Sequence, residues 1–151
     1  MNSDQQVNDG YLIVQNLLRV SAYLSRVGDR ISSEYGLNQQ QFTILNEICS
    51  REEIIQSDLV KDLYYEKSNV SKVVKKLIGL GLLEMKTSEA DRRVKFLTPT
   101  DEGFAIWKKC LDETIEWGNS WLAHLSSTEI TFALRISERF KDSIKEDITE
   151  E

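Results

Sequence analysis

Residues 67–83 read KSNVSKVVKKLIGLGLL. Lys67, Lys72, Lys75 and Lys76 stand there without a single Asp or Glu. Yet the 151-residue chain carries 25 acids against 19 lysines and arginines, a formal net charge of −6. Wound at a helical pitch, Val70, Val73, Val74 and Leu77 gather on one side and call for a core. Ser68, Lys72 and Lys75 fall opposite, with Asn69, Ser71 and Lys76 on the flanks. That outer side offers short hydrogen-bonding groups near its start and cations further along. A helix of this kind suits the major groove of DNA, where its first residues reach base edges and lysines neutralise phosphates. Acids would be repelled there, which accounts for their absence. A lysine-rich helix face is also what ordinary solvation produces, so the flanking segments decide between the two.

Upstream, Asp58 to Tyr64 reads as a short helix with Leu59, Val60 and Leu63 apolar, and a turn near Tyr65-Glu66 joins it to the lysine-rich helix. Two short helices at this spacing make a helix-turn-helix. Downstream, Gly79 and Gly81 close the helix, and LLEMKT (82–87) and VKFLT (94–98) read as the two strands of a hairpin. Its polar tip, SEADRR, places Arg92 and Arg93 where a wing reaches the minor groove, the most negative part of the duplex. Asp91 has nothing to attract in DNA, so its role is to hold an arginine or to shape the turn. Charge follows the same division. Residues 59–95 hold nine basic and five acidic side chains, a net of +4, leaving a net of −10 on the remainder. A local cationic site on an acidic body is the footprint of a polyanion partner.

The rest of the chain is helical in pattern. Ile13, Leu17, Val20, Leu24, Val27 and Ile31 alternate spacings of four and three, an a/d seam. A helix from about residue 8 to 35 would be on the order of 40 Å long, so contact with another subunit is expected alongside packing within the chain. Gly36 sits where such a helix ends, and Asn38 with Gln41 forms a capping box for the next one, which turns Phe42, Leu45 and Ile48 inward. Ile54-Ile55 is a short β-branched pair. Thr100 caps a further helix, with Asp101 and Glu102 in its first turn and an apolar stripe through Phe104, Trp107, Leu111, Ile115, Leu122 and Leu125. Ser126 and Glu129 open a last helix bearing Ile130, Leu134, Phe140 and Ile144.

The expected fold class is therefore mostly α with a small β-hairpin wing: a winged helix-turn-helix over residues 37–99, flanked by an N-terminal helix (1–36) and C-terminal helices (100–151). Several function classes drop out. There is no nucleophile–base set, no glycine-rich phosphate loop and no metal cluster, so no enzyme is expected and no cofactor. No apolar run approaches the roughly 20 residues of a membrane span, and MNSDQQVNDG has neither the basic patch nor the apolar segment of a secretory signal. Cys49 and Cys110 are too few and too distant for a disulfide framework, which points to a reduced, cytoplasmic protein. Both lie on or beside apolar faces and read as inert buried thiols rather than redox sensors. His124, the only histidine, reads as a charge near a helix C-terminus rather than a metal ligand.

Taken together, these motifs resemble the MarR/SlyA family of transcriptional regulators over essentially the whole chain. SNVSKVVKKLIGLGLLE (68–84) matches the family's recognition helix, with a Ser-x-Ser-like start and a Gly-Leu exit. Asp91-Arg92-Arg93 matches its Asp-x-Arg wing motif, and Thr100-Asp101-Glu102-Gly103 its Thr-x-x-Gly helix start. The resemblance implies a homodimer held by the first and last helices, with Ile13, Leu17, Val20, Ile130, Phe140 and Ile144 in the interface. It implies a pseudo-palindromic operator and, in the family's commoner mode, repression. Contacts to DNA map to Ser68, Asn69, Ser71, Lys72 and Lys76, with Arg93 as the wing arginine and Asp91 orienting it; the helical pattern and the wing tip add Lys75 and Arg92. Two positions depart from the family. Ile55 replaces the Thr that often caps the short helix, and Met85-Lys86 replaces the usual arginine at the wing base, leaving phosphate contact there to Lys86. The family's zinc and peroxide sensors depend on residues absent here. Trp107, Trp117, Trp121, Tyr23 and Phe42 are candidates both for core and for the family's small-molecule effector cleft. The competing expectation from another class is a winged-helix module that binds protein and never touches DNA.

Overall fold

A computed structural model describes residues 3–149 apart from Glu52 and Ala90, and side-chain exposure between residues 8 and 144. Residues 1, 2, 150 and 151, at the outer limits of the expected domains, lie outside the described residues. The chain forms two compact units, one running to Thr114 and one from Ile115 onward. The first holds α1 (Ser3–Ser33), α2 (Gln39–Cys49), α3 (Gln56–Leu63), α4 (Lys67–Gly79), β1 (Leu83–Thr87), β2 (Lys95–Pro99) and the first half of α5 (Asp101–Leu122). The second holds the end of α5 and all of α6 (Ser127–Thr149).

α1 starts earlier than its heptads suggest, at Ser3, and its 31 residues span roughly 46 Å. The polar residues before Gly10 extend the helix without adding to the seam. Its end is a Schellman turn: Gly36 takes φ +75°, its amide donates to the Ser33 carbonyl, and the Leu37 amide donates to that of Ser32. The seam divides in two. Val27 and Ile31 are buried and Leu24 is half-buried, whereas Ile13, Leu17 and Val20 are exposed.

The expected capping box opens α2. The Asn38 side-chain oxygen Oδ1 accepts from the Gln41 amide at 2.8 Å, and the Gln41 side chain accepts from the Asn38 amide at 2.9 Å. α3 begins at Gln56, two residues before the expected start. Ile55 has no side-chain acceptor, so only half of a capping box forms, with the Asp58 carboxylate accepting from the Ile55 amide at 3.1 Å. The core is aliphatic: Ile44, Leu45 and Ile48 from α2, Leu59 from α3, Val70, Val74 and Leu77 from α4, and Leu83 and Leu97 from the hairpin. Each such side chain contributes about 1.5–3 kcal/mol by leaving water.

β1 and β2 pair antiparallel, Leu83 opposite Pro99 and Thr87 opposite Lys95. Both strands begin one residue later than the sequence suggests. The Leu82 amide is taken by the Leu77 carbonyl at the end of α4, and the Val94 amide by the Asp91 carbonyl inside the wing turn. Ile54 adds a single bridge to Leu97, so the β-branched pair forms a minimal third strand.

Thr100 explains the spacing of its motif. Its hydroxyl accepts from the Gly103 amide at 3.0 Å and donates to the Gly81 carbonyl at 2.7 Å, while its own amide donates to the Leu82 carbonyl. Gly103 lies against that same carbonyl, and a Cβ there would come within 1.9 Å of the Leu82 oxygen. One threonine and one glycine thus lock the start of α5 onto the exit of α4. Further along, the Trp107 indole donates to Asn46 at 2.9 Å, and Tyr35 donates to the Glu113 carboxylate, which raises the phenol to about 12. α5 stops at Leu122, so Leu125 falls outside the stripe expected of it. Ser126 and Glu129 cap α6 reciprocally, as their spacing suggests.

Candidate nucleic-acid interface

α4 covers residues 67–79, the limits its amphipathic pattern sets. Val70, Val73, Val74 and Leu77 are buried. Ser68, Lys72, Lys75 and Lys76 are exposed, and Asn69 and Ser71 are half-buried on the flanks. Among the described residues, Lys72, Lys75 and Lys76 make no ion pair. The helix therefore offers a row of cations and small donors held rigidly by a dry inner face. Its exit is fixed by a second Schellman turn, with Gly81 at φ +74° donating to the Ile78 carbonyl.

The turn before α4 holds a feature that composition does not reveal. Tyr64 caps α3 in the left-handed region at φ 55°, a conformation a glycine adopts without the clash a Cβ brings. Its ring is exposed, and that of Tyr65 is half-buried against the core. The lack of any glycine between α3 and α4 was the available signal.

The wing tip is organised by Asp91. Its carboxylate accepts from the Arg93 amide at 2.9 Å and from the Arg93 Nε at 3.3 Å. Both roles considered for this acid, holding an arginine and shaping the turn, fall to the same oxygen. The Arg93 side chain remains 93% exposed, so this contact leaves the guanidinium open to solvent. Arg92 is exposed beside it. At the wing base Lys86 is exposed but pairs with Glu84 at 3.0 Å, a contact set by two residues on the same face of β1. That Glu-x-Lys spacing on one strand face is legible in the sequence.

The remaining candidates resolve separately. Cys110 is fully buried and Cys49 half-buried, and burial pushes their thiols up to about 11 and about 12. Thiols held protonated in this way are poor nucleophiles. His124 is exposed just beyond α5. Among the described residues no group of three or more His, Cys, Asp or Glu is arranged to hold a metal, and no helix is long and apolar enough to cross a membrane. A cavity of about 480 Å³ opens beside α1, lined by residues including Leu17, Val20, Leu24, Gln39, Thr43 and Tyr65. None of the five aromatic candidates lines it. Phe42 is in the core, Trp107 is bound to Asn46, Tyr23 is exposed, and Trp117 stacks on Trp121 with ring centroids 5.9 Å apart.

A short helix, a turn, a cationic helix and an arginine-tipped hairpin define a winged helix-turn-helix of the DNA-binding kind, and residues 37–103 match the family described as "Winged helix DNA-binding domain". The HTH-type transcriptional regulator PecS of Dickeya dadantii (strain 3937) is 31% identical over 123 residues, covering 80% of this chain and 74% of PecS. The chain belongs to the MarR/SlyA family of DNA-binding transcriptional regulators, which are not enzymes. Solved structures share the fold. A putative MarR family regulator from Listeria monocytogenes, complexed with 26mer DNA, superposes with a TM-score of 0.83 at 24% identity, covering 89% of each chain. CouR from Rhodococcus jostii RHA1, bound to p-coumaroyl-CoA, gives 0.79 at 18% identity, covering 85% of this chain and 91% of that one.

Proposed function

We propose that this regulator works in the cytoplasm as a homodimer that binds a pseudo-palindromic operator and represses transcription from it. The carrying observation is the outer face of α4, whose lysines meet no carboxylate among the described residues, beside an arginine-tipped wing. In this assignment Ser68, Asn69, Ser71 and Lys72 meet base edges at the start of the helix. Lys75, Lys76 and Lys86 neutralise phosphates, and Arg92 and Arg93 enter the minor groove with Asp91 setting the angle of Arg93. Residues 37–99 act as the reading head. Residues 1–36 and 100–151 act as the dimerisation region, through Ile13, Leu17, Val20, Ile130, Phe140 and Ile144. Five of those six are exposed in the single chain and Ile130 is half-buried, leaving apolar surface for a second copy to cover.

Two-fold symmetry then sets the recognition helices roughly 34 Å apart, one turn of the duplex. Selection of bound duplexes from a random DNA pool tests this directly. A recovered palindrome with half-sites one helical turn apart is expected, and binding should weaken steeply with salt. A flat salt dependence, or no recovered sequence, would overturn it in favour of a protein-binding winged helix.

The cavity beside α1 supports a second element, control by a small molecule. Its volume of about 480 Å³ lies within the range of small-molecule sites, and its lining mixes aliphatic side chains with hydroxyls and an amide. A ligand there would act by favouring a dimer whose recognition helices are wrongly spaced for DNA. A thermal-shift screen of phenols and organic acids should give at least one stabilising compound that also releases the operator; a screen without one would remove this element.

A further inference from the structure

The cavity of about 480 Å³ beside α1 has a lining that is polar but uncharged. Ser21, Ser25, Thr43 and Tyr65 contribute hydroxyl-bearing side chains and Gln39 an amide, over an aliphatic wall of Leu17, Val20 and Leu24. Among the described residues no Asp, Glu, Lys, Arg or His lines it. Arg19 and Arg26 belong to α1 but not to the lining, and the Arg26 guanidinium lies 5.9 Å from the centre of the Tyr23 ring. The ion tied to the lining is an acid: the Asp29 carboxylate accepts from the Gln39 backbone amide at 2.7 Å. Gln39 adds a second asymmetry. Its Nε2 donates to the Thr43 hydroxyl at 3.3 Å, whereas its Oε1 is buried against Gly28 without a donor. A buried acceptor left unpaired is costly, so this amide is short of a donor and not of an acceptor.

We infer that this cavity takes an uncharged hydroxylic ligand, a phenol or an aromatic alcohol, and turns away the corresponding carboxylate. This rests on the small-molecule control proposed above and names the chemistry that the cavity admits. Moving an anion from water into a site without a cation costs far more than moving a hydroxyl that finds hydrogen-bond partners. Serine, threonine and tyrosine hydroxyls both donate and accept, so they match a ligand hydroxyl in either sense. A turn of the Gln39 amide towards that hydroxyl gives its oxygen the donor it lacks. A carboxylate brings acceptors only, close to an oxygen already short of a donor and to the charge of Asp29. The wall of Leu17, Val20 and Leu24 suits the ring. Tyr65 stands two residues before α4 begins at Lys67, so an occupant also touches the segment that sets the start of that helix.

Calorimetric titration of the full chain with matched pairs tests this: benzyl alcohol against benzoate, and naphthol against naphthoate, at neutral pH and constant ionic strength. Each alcohol should bind at least about tenfold more tightly than its acid. Ser25 is exposed at the rim of the lining, so Ser25→Lys is compatible with the fold and places a cation there. That variant should gain affinity for the acids and narrow the ratio several-fold, with thermal unfolding unchanged. An acid that binds the wild type as tightly as its alcohol would overturn the preference while leaving a ligand cavity in place. A ratio that Ser25→Lys leaves unmoved would overturn it too, by placing the bound compound elsewhere. A chain that binds neither member of either pair would take down small-molecule control itself, with the DNA assignment untouched.

Discussion

Two exposed helix faces of the first unit are chemically opposite. On α4 the bare face is Ser68, Lys72, Lys75 and Lys76, cationic and hydroxylic, with its apolar partners fully internal. On the first half of α1 the bare face is Ile13, Leu17 and Val20, between 40% and 48% exposed. Water solvates the first face at no cost, and with no carboxylate paired to it among the described residues it is available to a polyanion. Water penalises the second by about 25 cal/mol for each Å² of apolar surface left exposed, which drives association with another apolar face. In the proposed reading one helix meets DNA and the other meets protein, although both read as amphipathic.

The sharpest way to break this contrast is a charge on the apolar face. Leu17→Glu should dissociate the dimer, since an unpaired charge buried at an interface costs about 3–5 kcal/mol. Sedimentation should then show monomer with a winged helix still folded, and an intact dimer would refute the assignment of this face. The reverse change, Lys72→Glu, should leave the dimer intact and weaken duplex binding tenfold or more, about 1.4 kcal/mol or above. If duplex binding survived it, the protein-binding alternative would prevail.

A third variant tests the frame that holds α4 rather than its face. Gly103→Ala must displace the Leu82 carbonyl, and overpacking of this kind costs about 1–3 kcal/mol. Chemical denaturation should register that loss, with the wing loosened before the rest. Tyr64→Gly should act in the opposite direction. Removing the left-handed strain relieves about 1 kcal/mol, less the added entropy of the unfolded chain, so the midpoint should rise slightly or stay level. A clear fall would mean that the Tyr64 ring contributes packing its exposure does not suggest. The smallest effect is expected of Glu84→Gln, which frees Lys86 from its 3.0 Å partner. Duplex affinity at low salt should rise by a few-fold at most, as befits an exposed ion pair worth about 1 kcal/mol or less.

Much of the fold could be read from residue patterns because its elements are strongly marked. α4 carries four apolar residues on one arc and a glycine exit, so its limits were legible to the residue. The capping boxes at Asn38 and Ser126 marked the starts of α2 and α6 for the same reason: a short acceptor side chain satisfies amides that the helix cannot. Where the marking is weak, the boundary moved. α3 starts two residues early because Asp58 sits at its third position and accepts from the Ile55 amide, where no short polar side chain marks the start, and the strands start late because neighbouring turns claim their first amides. The aromatic residues were the least legible. Periodicity turned Phe42 inward, as found, but it gives only the side of a helix a ring occupies and not what faces it, so it left open that Tyr23 lies at the surface.

By itself the sequence determined the order of elements, the segregation of charge and the polarity of each helix face, because these depend only on residue type and helical or strand spacing. Tertiary structure alone decided which cations stay unpaired and which are engaged. Arg51 meets Asp62 of α3, while Lys61, Lys67 and Lys72 meet no carboxylate among the described residues; the pairs Lys86–Glu84 and Arg93–Asp91, two residues apart, follow from the sequence instead. It also decided that half of the α1 seam serves the chain's own core while the other half stays bare. Both outcomes turn on distance in space, and a Coulomb or contact energy acts between neighbours that chain order does not specify.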